Sequence, residues 1–113
     1  MTDKAKKYLS DIQYAISLIE IFMQNTENYS DFEMDLKTQS AVERKLGIIG
    51  EAVNKFRHEE INEILTHTKE IVNFRNRIIH SYDNIDNTIV WTIIKSHLPV
   101  LKEEIETILN PKN

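Results

Sequence analysis

The sequence predicts an all-α fold: an antiparallel four-helix bundle with one short extra helix and a last helix kinked by proline. Three observations carry that reading. Apolar residues recur at intervals of three and four over stretches long enough for helices. Only two Gly and two Pro stand among 113 residues, too few for the turns of an all-β fold. Cysteine is absent, so no disulfide frame and no thiolate metal cluster can organise the chain. The length suits one domain, residues 1–113, with one sizeable core.

The first helix is expected over roughly Asp3–Gln24, capped by Thr2 or Asp3, with Tyr8, Ile12, Ala15, Ile16, Ile19, Phe22 and Met23 as its stripe. Asn25 to Asp31 is polar and reads as a loop ending in a cap at Ser30 or Asp31, after which Phe32, Met34 and Leu36 dock on the bundle. A second long helix is expected over roughly Asp35–Phe56, with Val42, Leu46, Ile49, Val53 and Phe56 facing the core. Both glycines, Gly47 and Gly50, fall inside it. Each costs about 1 kcal/mol relative to Ala in a helix interior. They either make room for a bulky neighbour such as Trp91 or let another helix or a ligand come close.

Arg57-His-Glu-Glu60 is a charged break, and Ile61, Ile64 and Leu65 suggest a short helix. His58 and His67 have no metal-binding spacing and read as surface residues. The central helix runs from roughly Thr68 to Tyr82 and ends at Asp83-Asn-Ile-Asp86. Asp86 or Asn87 then caps the last helix, whose stripe is Ile89, Val90, Ile93, Ile94, Leu98, Leu101, Ile105 and Leu109. Pro99 lies inside that pattern and should kink or split the helix near Ser96, because it lacks an N–H and clashes with the preceding turn. Trp91 reads as a core or interface anchor rather than a base-stacking platform.

Composition narrows the function classes. Apolar residues make up 41% and charged residues 28%, ordinary values for a globular protein. No apolar run is long enough to span a membrane. The lysines near the start precede residues that are apolar only at helical spacing, which is not a signal peptide, so a cytoplasmic protein is expected. A net charge of −4 makes a poor general coat for nucleic acid, so any RNA contact must be local. All four arginines, Arg44, Arg57, Arg75 and Arg77, lie in the middle of the chain, and Arg44 and Arg77 are candidates for such a contact.

The central helix carries the unusual chemistry. On a helix turning about 100° per residue, Ile71, Phe74, Ile78, Ile79 and Tyr82 form one apolar arc with Arg75 in its middle. Asn73, Asn76, Arg77 and His80 fall on the other side. A guanidinium on a core-facing stripe needs a partner, because its desolvation is costly. That partner is either a core carboxylate, with Glu51 the first candidate, or an anion from outside, with His80 near enough to move protons. Asn76 and His80 are four apart and can converge on one ligand. Arg75 and His80 are five apart, roughly 140° around one helix, so a second copy of the helix is one way to complete a site.

Arg75-x4-His80-x-Tyr82 resembles the signature of the HepT-like branch of the HEPN superfamily. Ala41-Val-Glu-Arg-Lys-Leu-Gly-Ile-Ile-Gly-Glu-Ala52 is similar to that family's second-helix motif. Arg75-Asn-Arg, Ile85-Asp86, Trp91 and Leu98-Pro99 also fit, and Tyr8-Leu-x-Asp11-Ile12-x-x-Ala15-Ile16 fits more loosely. The chain departs from the family at Leu65-Thr-His-Thr-Lys69, where a Pro-Trp-like turn is common, and this bears on the shape of the groove rim.

The resemblance implies a metal-independent RNase toxin, without a cofactor, of a two-gene toxin–antitoxin system. It implies a homodimer with the active groove at its interface and an MntA-like minimal nucleotidyltransferase as partner. It makes Arg75 and His80 the catalytic pair, Asn76 the neighbouring polar residue, and Tyr82 the hydroxyl that the antitoxin adenylylates. Two other readings stand beside it. One is a catalytically silent HEPN-like protein that binds nucleotide or scaffolds a nucleotidyltransferase. The other is a structural bundle with a buried Arg salt bridge.

Overall fold

The computed structural model describes residues 1–63, 65–81 and 85–111, with the backbone alone for residues 79–81. Ile64 and Tyr82, and the expected helix-ending turn at Asp83, therefore lie outside the described residues. Within them all regular structure is helical: α1 (Asp3–Phe22), α2 (Tyr29–Glu33), α3 (Leu36–Glu59), α4 (Thr68–Ser81), α5 (Asn87–Thr92) and α6 (Leu98–Leu109), with one π-helical turn (Ile93–His97) joining the last two. No helix among the described residues is long and apolar enough to cross a membrane.

The long helix α3 is the centre of the bundle. It packs against α1 on one side and α4 on the other, and α6 closes against α1. Thr2 caps α1 by accepting from the Ala5 N–H at 3.0 Å. The α1 residues Leu9, Ile12, Ala15, Ile16 and Ile19 meet Val42, Leu46, Ile49, Val53 and Phe56 of α3 in one buried cluster. Asp35 caps α3, accepting from Thr38 N–H at 3.0 Å and from its hydroxyl at 2.6 Å.

The stretch before α3 differs from expectation. Asn28, not Ser30 or Asp31, is the cap, its side chain accepting from Asp31 N–H at 2.9 Å. That places Ser30 and Asp31 inside a single helical turn. Phe32 is fully buried as expected, but Met34 and Leu36 are 81% and 73% exposed. Two joints, neither of them apolar burial by Met34 or Leu36, hold α2 in place. Gln39 is buried and its Nε2 donates to Phe32 O and Glu33 O, both at 2.8 Å, so the orphan carbonyls at the end of α2 are satisfied from α3. Trp91 of α5 packs edge-on to Tyr29 and tilted on Phe32, with ring centroids 5.8 Å apart in each case, and Lys95 Nζ lies 4.8 Å from its centroid. Trp91 is thus the anchor between α2 and α5.

The short helix expected at 61–65 is absent from the described part of that segment, which turns instead. Ile61 is 81% exposed while Leu65 is buried. Glu104 of α6 ties the segment down by accepting from Thr66 N–H at 3.0 Å. His67 then takes a left-handed backbone (φ 62°) immediately before α4.

Asp86 caps α5, accepting from Thr88 N–H at 2.9 Å. The expected break near Ser96 is there: the π turn Ile93–His97 separates α5 from α6 just ahead of Pro99. The backbone takes up the missing donor as the π turn just ahead of it, where Leu98 N–H reaches back to Ile93 O.

Candidate active site on the central helix

Helix α4 lies along the side of α3 where its glycines stand. A Cβ built on Gly50 would sit 2.6 Å from Arg75 Cβ, 3.3 Å from Arg75 Cγ and 3.1 Å from Ile71 O. Among the described residues, a Cβ on Gly47 would meet only Ile78 Cδ1, at 3.8 Å. The glycines therefore admit a neighbouring helix of the same chain, not Trp91, and Gly50 is the notch that seats the stem of Arg75. Ile71, Val72 and Phe74 bury the rest of this face.

Arg75 is half-buried in that seat. Among the described residues no carboxylate forms an ion pair with it. The expected partner, Glu51, is elsewhere: it is exposed and pairs with Lys55 at 3.2 Å, on the side of α3 that faces α1. The reason is rotational. Glu51 follows Gly50 by about 100° around α3, which turns it away from α4.

Asn73, Asn76 and Arg77 are exposed on the outer face of α4, and Arg44 is exposed on α3. Arg77 adds its charge to the Thr88 hydroxyl and N–H in holding the Asp86 carboxyl below the usual carboxylate range, with the Thr88 bonds the larger cause. The α4 helix runs unbroken from Thr68 through the backbone of His80, so Arg75 and His80 keep the angular separation of one straight helix. The His80 side chain and Tyr82 lie outside what is described.

Sequence reasoning passed over Glu43. It occurs on α3 four residues before Gly47 and seven before Gly50, hence on the stripe that meets α4. Its carboxyl is partly buried, and burial alone pushes its pKa up. The signal was present in the sequence as the spacing Glu43, Gly47, Gly50.

A second cluster lies at the opposite end of α4. The rings of His67 and His97 stack with centroids 4.2 Å apart and 27° between planes, so His67 is not the free surface residue expected. His97 Nδ1 is buried, and among the described residues it has no hydrogen-bond partner. Burial lowers the pKa of His97, His67 adds to that, and Glu70 partly offsets it. Among the described residues no group of three or more His, Asp or Glu is placed to hold a metal ion.

Comparison with known proteins gives the family. The profile of the family described as Ribonuclease HepT-like matches residues 12–108. The chain is 39% identical over 109 residues to a protein of Thermococcus cleftensis named "Probable ribonuclease HepT", covering 91% of this chain and 94% of that one. It is 36% identical over 106 residues to "Putative RNase MJ1216" of Methanocaldococcus jannaschii, covering 92% and 86%. A further relative, "Putative RNase TTE0752" of Caldanaerobacter subterraneus, is 33% identical over 84 residues, covering 73% and 74%. No solved structure matches the chain with comparable significance. The matched span runs from within α1 into the last residues of α6 and includes α3 and α4 whole, and the chain belongs to the HepT-like ribonucleases of the HEPN superfamily.

Proposed function

We propose that this protein is a metal-independent endoribonuclease, the toxin of a toxin–antitoxin pair, in which Arg75 and His80 carry the reaction. The observation that supports this most is Arg75 itself. A half-buried guanidinium on a core-facing stripe, with its stem seated in the Gly50 notch and no paired carboxylate among the described residues, is a site waiting for an external anion.

The reaction follows from that pairing. The ribose 2′-OH attacks the adjacent phosphorus, the new O–P bond forms, and the P–O5′ bond breaks. The proton of the 2′-OH must leave and the departing 5′-oxygen must gain one. Histidine titrates near neutral pH and moves protons in such a step. The forked guanidinium of Arg75 offers donors to the charge that builds on the phosphoryl oxygens. Asn76, exposed and four residues from His80, holds the imidazole or a phosphate oxygen. Arg77 and Arg44 contact the RNA backbone, and Glu51 has at most a supporting polar role.

One straight helix does not turn Arg75 and His80 to the same side. A homodimer that sets two copies of α4 against each other supplies both groups to one groove. Tyr82, two residues beyond His80, is the hydroxyl on which an MntA-like nucleotidyltransferase would place AMP. The added bulk and negative charge would keep RNA from the groove.

The test is cleavage of a defined RNA by the purified protein in the presence of EDTA, with sedimentation in the same buffer. Cleavage by a species larger than the 13.3 kDa monomer is expected. A clean monomer without activity on any RNA offered would overturn the proposal.

A further inference from the structure

A groove of about 410 Å³ runs between α1 and α3. The seat of Arg75 lies one helix width away, on the other flank of α3. Gly47 meets Ile78 of α4, while the next residue, Ile48, lines the groove. Arg44 is exposed on the ridge between the two flanks, three residues before Gly47 and four before Ile48. A strand lying in the groove therefore crosses α3 at Arg44 to reach Arg75, over the roughly 10–12 Å that a helix with its side chains spans.

Two kinds of side chain give this groove its chemistry. Lys7, Lys45 and Lys55 bring three cations to it, in a chain whose net charge is −4. Lys7 and Lys55 each pair with a carboxylate one turn away on their own helix, Asp11 at 3.1 Å and Glu51 at 3.2 Å. Both pairs are solvent-exposed, so a phosphate replaces the carboxylate at little cost. Lys45 is partly buried, and among the described residues no carboxylate pairs with it. The second kind is aromatic. Tyr14 is 67% exposed, and among the described residues no aromatic ring stacks on it. Trp91, by contrast, is already occupied by Tyr29, Phe32 and Lys95.

A ring that keeps its face in water beside ammonium groups suits single-stranded nucleic acid, whose bases stack on the ring while the cations track the phosphates. A duplex keeps its bases stacked inside and offers the ring nothing. A protein partner would have to cover both ion pairs and strip water from them, which is costly. A polyanionic strand leaves the rim wet and exchanges one anion for another.

We propose that the α1–α3 groove binds the single-stranded RNA flanking the cleaved bond, with a base stacked on Tyr14, phosphates held by Lys45 and the two rim lysines, and the strand led over Arg44 to Arg75. The proposal rests on the reading of Arg75 as part of the cleavage site, but the binding it describes does not require cleavage.

The probe is a short fluorescent RNA with 2′-O-methyl riboses, so that no 2′-OH is free to attack. Its binding is followed by anisotropy over a range of salt concentrations in EDTA, for wild type, Tyr14→Ala, Lys45→Gln and Lys6→Gln, with sedimentation of each in the same buffer. Tyr14 is exposed, so its loss leaves the core intact. Lys6 is exposed on the side of α1 opposite Ala15, a wall of the groove, and serves as the control for charge alone. Tyr14→Ala should weaken binding about fivefold or more. Lys45→Gln should reduce the slope of log affinity against log salt by about 0.7. Lys6→Gln should resemble wild type, and the probe annealed to its complement should bind more weakly than the single strand. Wild-type affinity and slope in Tyr14→Ala and Lys45→Gln overturn the proposal, as do equal binding of single strand and duplex or no binding by the wild type. A changed sedimentation in those variants with RNA affinity unmoved overturns it too, and assigns the face to contact between copies of the chain. Groove-dependent binding by a protein that leaves the unmethylated RNA intact would sustain the groove and refute the ribonuclease reading.

Discussion

Replacing each helix-interior glycine of α3 by alanine should move stability in opposite directions. Alanine at either position removes the conformational freedom of glycine from the unfolded chain and improves helix propensity, a gain of about 1 kcal/mol. At Gly47 the new methyl meets, among the described residues, only Ile78 Cδ1 at 3.8 Å, an ordinary van der Waals contact, so the gain survives. At Gly50 the methyl would lie 2.6 Å from Arg75 Cβ and 3.1 Å from Ile71 O. Neither atom is the end of a flexible side chain, so α4 must be pushed off α3. Overpacking of this kind costs about 1–3 kcal/mol, and the relief of strain cannot avoid moving Arg75. Gly47→Ala is therefore expected to be stabilised by up to about 1 kcal/mol and Gly50→Ala, once the same propensity gain is set against the overpacking, destabilised by up to about 2 kcal/mol. The two variants differ by the overpacking cost alone, so at roughly 4 °C per kcal/mol for a domain of this size their melting temperatures should differ by about 4–12 °C. Thermal unfolding followed by circular dichroism measures this directly. A Gly50→Ala protein that melts as high as Gly47→Ala would refute the close approach of α4 and, with it, the seat assigned to Arg75.

Two further outcomes follow from contacts outside the site. Gln39→Ala leaves the Phe32 and Glu33 carbonyls without their α3 donor, and should cost about 1–3 kcal/mol in chemical denaturation while loosening α2, read as faster amide exchange there. The His67–His97 stack predicts an acid-sensitive joint. The folded protein holds the pKa of His97 below its ordinary value, so the unfolded chain binds the proton more readily, and stability is lost as pH falls through the ordinary histidine value toward the lowered one. The melting temperature should drop between about pH 7.5 and pH 5.5, and His97→Phe should flatten that part of the profile; an equal drop in both proteins would remove the stack from the explanation.

The long helices were legible because their cores are periodic. Ile12, Ile16 and Ile19 in α1 and Val42, Leu46, Ile49, Val53 and Phe56 in α3 are buried as their spacing requires. The short elements were not. A single turn such as Tyr29–Glu33 has no period to read, and its cap, Asn28, acts through one side-chain bond that no sequence pattern separates from Ser30 or Asp31. Met34 and Leu36 show the limit of hydrophobicity as a guide, since the joint between α2 and α3 is made by Gln39. Pro99 announced the break, but that it takes the form of a π turn depends on which carbonyl finds a donor, here Ile93 O with Leu98 N–H.

The site was legible in its residue types and less so in its partners. Arg75 on the apolar stripe was visible from angles alone. That Glu51 turns away from it needed the observed rotation of α3, and that Gly50 serves α4 rather than Trp91 needed the packing. His67 looked like a surface residue because nothing local in sequence links it to His97, thirty positions on. Glu43 was readable from the same spacing that exposed Gly47 and Gly50, but its significance depends on which helix covers that face.

The most direct measurement is RNA cleavage in EDTA by wild type, Arg75→Ala and His80→Ala, each first shown to be folded by circular dichroism. Loss of one donor to the developing phosphoryl charge typically costs on the order of 10²–10³ in rate, and loss of the proton carrier about 10²–10⁴. Both variants should therefore fall to near background. Arg75→Ala should keep most of its stability, because no paired carboxylate among the described residues is left stranded by it. A folded His80→Ala protein that cleaves RNA at the wild-type rate would contradict the account, whatever Arg75→Ala does.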